Sequence, residues 1–133
     1  MPKYFTFEEA NNFIPQLSTM MEGVRDCRRR IAAKEQELSQ MKGQRVGGNG
    51  NYRANEREIR RVQEEINELV GELQQLVSQV HAVGCVVKDM EMGLVDFLTL
   101  RDGEEMYLCW RLGEERIGFW HTIEGGYGAR QPI

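Results

Sequence analysis

Eight apolar residues, Ile59, Val62, Ile66, Leu69, Leu73, Leu76, Val80 and Val83, follow one another at alternating steps of three and four. That spacing is the seam of a heptad repeat and puts all eight on one stripe of a helix. Asn55 stands at a capping position with Glu58 three residues on, and Gly84 follows where a left-handed cap residue is wanted. A helix with such a stripe is stable only against a partner, and the chain supplies one. Ala10, Phe13, Leu17, Met20, Val24, Cys27, Ile31, Leu38 and Met41 mark a first long helix from about Phe7 to Lys42. Thr6 and Glu9 have the spacing of a capping box, with Phe5 and Ala10 placed as a hydrophobic staple. Pro15 lacks a backbone donor and is expected to kink this helix or split off a short first segment. Between the helices, residues 43–54 hold four glycines without periodicity and read as the tip loop of an antiparallel hairpin. At ~1.5 Å per residue such a helix runs roughly 50 Å, and two of them bury only one seam. The excess apolar stripe predicts self-association, with a dimer favoured, or a protein partner.

After Gly84 the apolar period changes to two. Cys85–Lys88, Leu94–Arg101, Met106–Leu112 and Arg116–Ile123 are expected as strands of an antiparallel meander. Asp102-Gly103 has the chemistry of a two-residue hairpin turn, and Leu112–Glu115 is expected to turn as well. The fold class is therefore α+β, a coiled-coil-like two-helix hairpin followed by a small antiparallel sheet. As one domain, 1–133 divides into the hairpin (6–84), the sheet segment (85–123) and a glycine-rich tail (124–133). The tail is expected to be ordered only if something holds it.

Composition closes off several classes. The chain has 133 residues, 41% hydrophobic and 29% charged, which suits a folded domain and not a disordered one. No apolar run is long enough to span a bilayer, and the start Met1-Pro2-Lys3-Tyr4 is not a signal peptide. A cytoplasmic protein without membrane association is expected. Cys27, Cys85 and Cys109 are odd in number and widely spaced, so neither a disulfide framework nor a zinc knuckle is suggested.

Several segments together resemble a bacterial family catalogued as domain of unknown function 2203. They are Tyr4-Phe5-Thr6-Phe7-Glu8-Glu9-Ala10-Asn11, Gly84-Cys85-Val86-Val87-Lys88-Asp89 and Gly93-Leu94-Val95-Asp96-Phe97. Cys109-Trp110-Arg111-Leu112-Gly113-Glu114, Trp120-His121 and the glycine-rich end through Arg130 complete the set. Some members of that family carry a division-initiation label. The resemblance brings no activity with it.

Function must therefore be sought in residue groupings. Basic residues outnumber acidic ones between Arg25 and Arg61, while the rest of the chain is acidic. Arg45, Arg53 and Arg57 would collect at the hairpin tip as an anion-binding patch. The favoured reading of the basic segment is structural: Arg25, Arg28 and Arg29 would face Glu68 and Glu72 as interhelical ion pairs that set register. With a pI of about 5.3, nucleic acid is not the expected partner. In the sheet, Asp96, Cys109 and His121 are the candidate metal ligands. A two-residue Asp102-Gly103 turn sets Asp96 opposite Cys109. A two-residue turn in the next hairpin pairs Trp110 with Ile117 and turns His121 to the other face, so convergence needs a bulge. Asp96, Trp110, Arg111, His121 and Arg130 are the candidate residues for binding a small ligand, with Asp96 and Arg111 expected as a diagonal pair. No GxSxG or HExxH occurs. No catalytic residue and no cofactor is implied, and a non-enzymatic interaction protein is the favoured reading over a metal- or ligand-binding one.

Overall fold

The computed structural model describes residues 3–46 and 52–133, and the side chains of these except 44–46 and 52–55. Two long helices precede a five-stranded antiparallel sheet, an α+β arrangement. Helix α1 is Phe7–Val46 and α2 is Tyr52–Val83. The strands are β1 (Val86–Asp89), β2 (Leu94–Arg101), β3 (Glu104–Arg111), β4 (Phe119–Thr122) and β5 (Gln131–Pro132), in spatial order β1-β2-β3-β4-β5. No helix among the described residues is long and apolar enough to cross a membrane. The chain forms two compact units, one of residues 1–25 and 76–133, the other of Asp26–Gln75.

The first unit carries the sheet. Its helix start is the capping box read from sequence: Glu9 N–H donates to Thr6 Oγ1 and Thr6 N–H to Glu9 Oε1, both at 3.1 Å. The bond from the Thr6 N–H, and secondarily the Thr6 hydroxyl, holds the Glu9 carboxyl below its ordinary range. The helix runs on through Pro15 without a break, so the expected split does not occur. The buried stripe is Ala10, Ile14, Leu17, Met21 and Val24; Ile14 and Met21 take the places expected for Phe13 and Met20. Neighbouring apolar residues at 13–14 and 20–21 give the same period, and only packing chooses between them.

One face of the sheet presents Val95, Phe97, Leu108 and Trp110, all buried, and Phe5 meets Phe97 edge-on with ring centroids 5.0 Å apart. Asp102 (φ +53°) and Gly103 (φ +82°) make the expected tight hairpin, giving Arg101↔Glu104 and Asp96↔Cys109. Gly93 sits at φ +71°, and a Cβ there would lie 2.5 Å from Leu112 Cβ, so the β1–β2 turn requires glycine.

The second hairpin departs from expectation. β4 begins at Phe119 instead of Arg116, and the register is Cys109↔Phe119, Leu108↔Trp120 and Tyr107↔His121. The reason lies in the connection. Glu114 N–H donates to the Arg111 carbonyl, and Glu114 Oε1 accepts the Arg111 N–H at 2.7 Å. The chain then leaves the sheet, with Ile117 buried and its N–H bound to Asn11 Oδ1 of α1 at 2.7 Å. By the time it returns, the pairing has moved one residue, which flips every β4 side chain. Phe119 and His121 therefore share the face of Asp96 and Cys109, while Trp120 goes to the face of Leu108.

The tail 124–133 is likewise ordered: it forms a single 3₁₀ turn (Tyr127–Ala129) and β5, which pairs with β4. Arg130 clamps it, donating to both Glu114 carboxylate oxygens at 3.3 and 2.9 Å and stacking 3.9 Å over the Phe119 ring.

In the second unit the α1 and α2 segments lie antiparallel, as the contacts Cys27–Leu69 and Lys34–Glu65 and the cluster of Leu38, Val62 and Ile66 show. Lys34 and Glu65 form an ion pair between the segments. The anticipated Arg25 pairing differs: within the first unit, Arg25 donates to the carbonyls of Glu91 and Met92. Both helices extend further than the 43–54 loop allowed, and Asn55 lies inside α2, not at its cap. The centre of that loop, 47–51, is outside the described residues, as are the side chains of Arg45 and Arg53.

Candidate metal centre

Each member of the cluster is placed by a different strand. Asp96 comes from β2, Cys109 from β3 and His121 from β4, all on one sheet face and all buried, at 3%, 1% and 3% exposure. Their ligand atoms lie within 4.8 Å of one another. Convergence needs no bulge, because the one-residue displacement of β4 achieves it.

The histidine's protonation follows from its partners. Nδ1 lies 2.8 Å from the Thr122 carbonyl oxygen, which can only accept, so Nδ1 carries the proton. In the neutral ring Nε2 is then a lone pair, and it points at Asp96 Oδ2 at 3.0 Å. Two acceptors in that relation are bridged by a second proton or by a cation. A backbone carbonyl behind Nδ1 is the support that orients metal-ligating histidines.

Cys109 completes a mixed nitrogen, oxygen and sulfur set. Burial pushes its thiol up to about 11, the Asp96 carboxylate pushes the same way, and Arg130, with Nη1 4.0 Å from Sγ, opposes both. The thiol thus keeps its proton at neutral pH, and a metal would displace it. Cys85 is pushed to about 11 by burial as well, but its Sγ contacts the Val80 carbonyl and takes no part in the cluster.

The cluster opens into a cavity of about 270 Å³ whose walls include Lys88, Leu94, Tyr107, Ile123 and Tyr127. Tyr107 stands beside His121, ring centroids 5.4 Å apart, and Lys88 Nζ sits 5.5 Å from the Tyr107 ring centre. Arg111 donates to Tyr127 Oη at 3.1 Å.

Of the ligand-binding candidates, Asp96 and His121 line this cavity together. Trp110 does not; it is fully buried on the opposite face, donating its indole N–H to the Glu114 carbonyl at 2.9 Å. Arg111 engages Tyr127 in place of the expected diagonal partner Asp96, and Arg130 is committed to Glu114. Arg57 is exposed on α2. Strand parity places Tyr107 on the Asp96 face as an aromatic that could line a ligand pocket, and it does line this cavity. Lys88 and Tyr127 were not among the candidates: Lys88 carried no signal beyond strand parity, and Tyr127 lies in a tail whose folding depends on a partner distant in sequence.

Fold and cluster together define a small α+β protein with a buried Asp–Cys–His donor set at the floor of a cavity. The chain belongs to the family described as Uncharacterized conserved protein (DUF2203), whose model matches residues 3–133. No curated protein and no solved structure matches it.

Proposed function

We propose that the sheet holds a single zinc-type divalent ion on Asp96, Cys109 and His121, with a fourth coordination position open to the cavity. The observation that carries this reading is the geometry at His121: its Nε2 lies 3.0 Å from Asp96 Oδ2, and one ligand atom from each of Asp96, Cys109 and His121 falls inside 4.8 Å. Tetrahedral zinc separates such donors by about 3.3–3.6 Å given its usual bond lengths, so rotamer adjustments suffice. A donor set of thiolate, imidazole and carboxylate favours zinc over magnesium or calcium. Three protein ligands with an open position are the pattern of sites that bind an exchangeable molecule, in contrast to closed structural sites. Metal content and a competition titration against a chromophoric chelator test it. One zinc per chain is expected, with affinity reduced about 100-fold or more in Cys109→Ser, since even outer-shell changes cost 10–100-fold. Cys27→Ala should bind normally. Absence of zinc binding, or an unchanged affinity in Cys109→Ser, would remove the proposal.

A second reading, self-association through the helices, is favoured by one observation in the Asp26–Gln75 unit. Leu69 and Leu73 of the heptad stripe are only half-buried, and neighbouring Val70 is 37% exposed. A stripe of leucines left partly open is covered at low cost by a second copy. Sedimentation equilibrium should show a dimer at micromolar concentration, and the double variant Leu69→Gln/Leu73→Gln should be monomeric yet folded. A wild-type mass of one protomer throughout would end this reading.

A further inference from the structure

Resting on the metal reading above, we propose that the open coordination position takes a small carboxylate with an apolar body. Its head would lie between the metal and Lys88, its body between aromatic walls. Three features point to that chemistry. First, Lys88 lines the same cavity as Cys109 and His121 and sits over the Tyr107 ring, and among the described residues it forms no salt bridge with a carboxylate. Lys88 is exposed, and with a zinc-type ion on one aspartate and one thiolate formally neutral, its ammonium gives the cavity a net positive charge that favours an anionic ligand. Second, Tyr127 Oη accepts from Arg111, which leaves its own proton to donate, and an arginine-backed phenol suits an acceptor-only ligand. Third, apart from Gly125 and Gly126, the remaining walls are the apolar or aromatic side chains of Leu94, Tyr107 and Ile123, which suit a hydrocarbon body better than a second charged group. Size sets an upper limit. At about 30 Å³ per water, a cavity of about 270 Å³ has room for a compact molecule and not for a nucleotide or a peptide.

Benzoate is a suitable probe, used with the full-length chain loaded with Co²⁺, whose visible absorption reports on the coordination sphere. Benzoate is expected to change the Co²⁺ spectrum saturably and to bind at one site per chain by calorimetry. Lys88→Met should weaken binding at least tenfold while Co²⁺ stoichiometry stays at one, and Lys88→Arg should restore most of it. Benzamide, the neutral isostere, should bind at least tenfold more weakly than benzoate. If Co²⁺ loads normally but benzoate leaves the spectrum unchanged, or Lys88→Met binds it as wild type does, the carboxylate inference is overturned and the metal site stands. If the chain takes up no Co²⁺, the metal reading falls and this inference falls with it.

Discussion

His121→Ala is expected to cost the chelator-treated protein about 1–3 kcal/mol, the range for leaving a buried polar group without its hydrogen-bond partner. Both partners are sequestered, with side-chain exposures of 3% and 4%, so no solvent screens the loss. Alanine would leave Asp96 buried with its Nε2 partner gone and the Thr122 carbonyl without its ring donor. Chemical denaturation at neutral pH reads the effect directly. A double replacement of similar volume, Asp96→Val with His121→Leu, should recover most of the stability, because it removes both polar groups and leaves neither stranded. That double variant separates structure from function: it should be folded and yet take up no zinc. A loss under 1 kcal/mol in His121→Ala would mean that the pair is not closed to water as the structure has it. A double variant that still binds one zinc would place the metal elsewhere.

The elements were legible where local chemistry decides them. Thr6 and Glu9 announce α1, the heptad stripe announces α2, and Asp102-Gly103 fixes the β2–β3 register that sets Asp96 beside Cys109. What escaped the sequence is decided by partners distant along the chain. The β4 register depends on Asn11 binding Ile117 across 106 residues. The order of the tail depends on Arg130 finding Glu114, and Phe119 offers its ring to that guanidinium only because of the same register. A change of one residue in β4 therefore separates a sheet with scattered Asp, Cys and His from one in which they meet. The residues of the candidate site were visible individually, and their convergence was not, since strand parity transmits a single uncertain connection to every side chain beyond it.

Trp110→Ala is the complementary prediction, with an expected loss of about 3–5 kcal/mol for truncating a buried tryptophan. Against a total of about 5–15 kcal/mol for a typical domain, much of the protein would unfold. Trp110 is the largest fully buried side chain and pairs across the sheet with Val95. Its indole also reaches outward, since the bond to the Glu114 carbonyl ties the core to the turn that launches the β3–β4 connection. Glu114 in turn holds the Arg111 amide and the Arg130 guanidinium. Trp110→Phe isolates that second role: it keeps most of the apolar volume and removes the N–H. It should cost about 1–3 kcal/mol, and the turn should loosen enough to weaken zinc binding although no ligand has been touched. Amide exchange should then quicken at Glu114 and Ile117 and along β4, while β2 stays protected. Unchanged exchange in β4, together with unchanged zinc affinity, would show that the connection holds its register without the indole. The placement of His121 would then rest on the Asn11–Ile117 bond and the Arg130–Glu114 clamp alone.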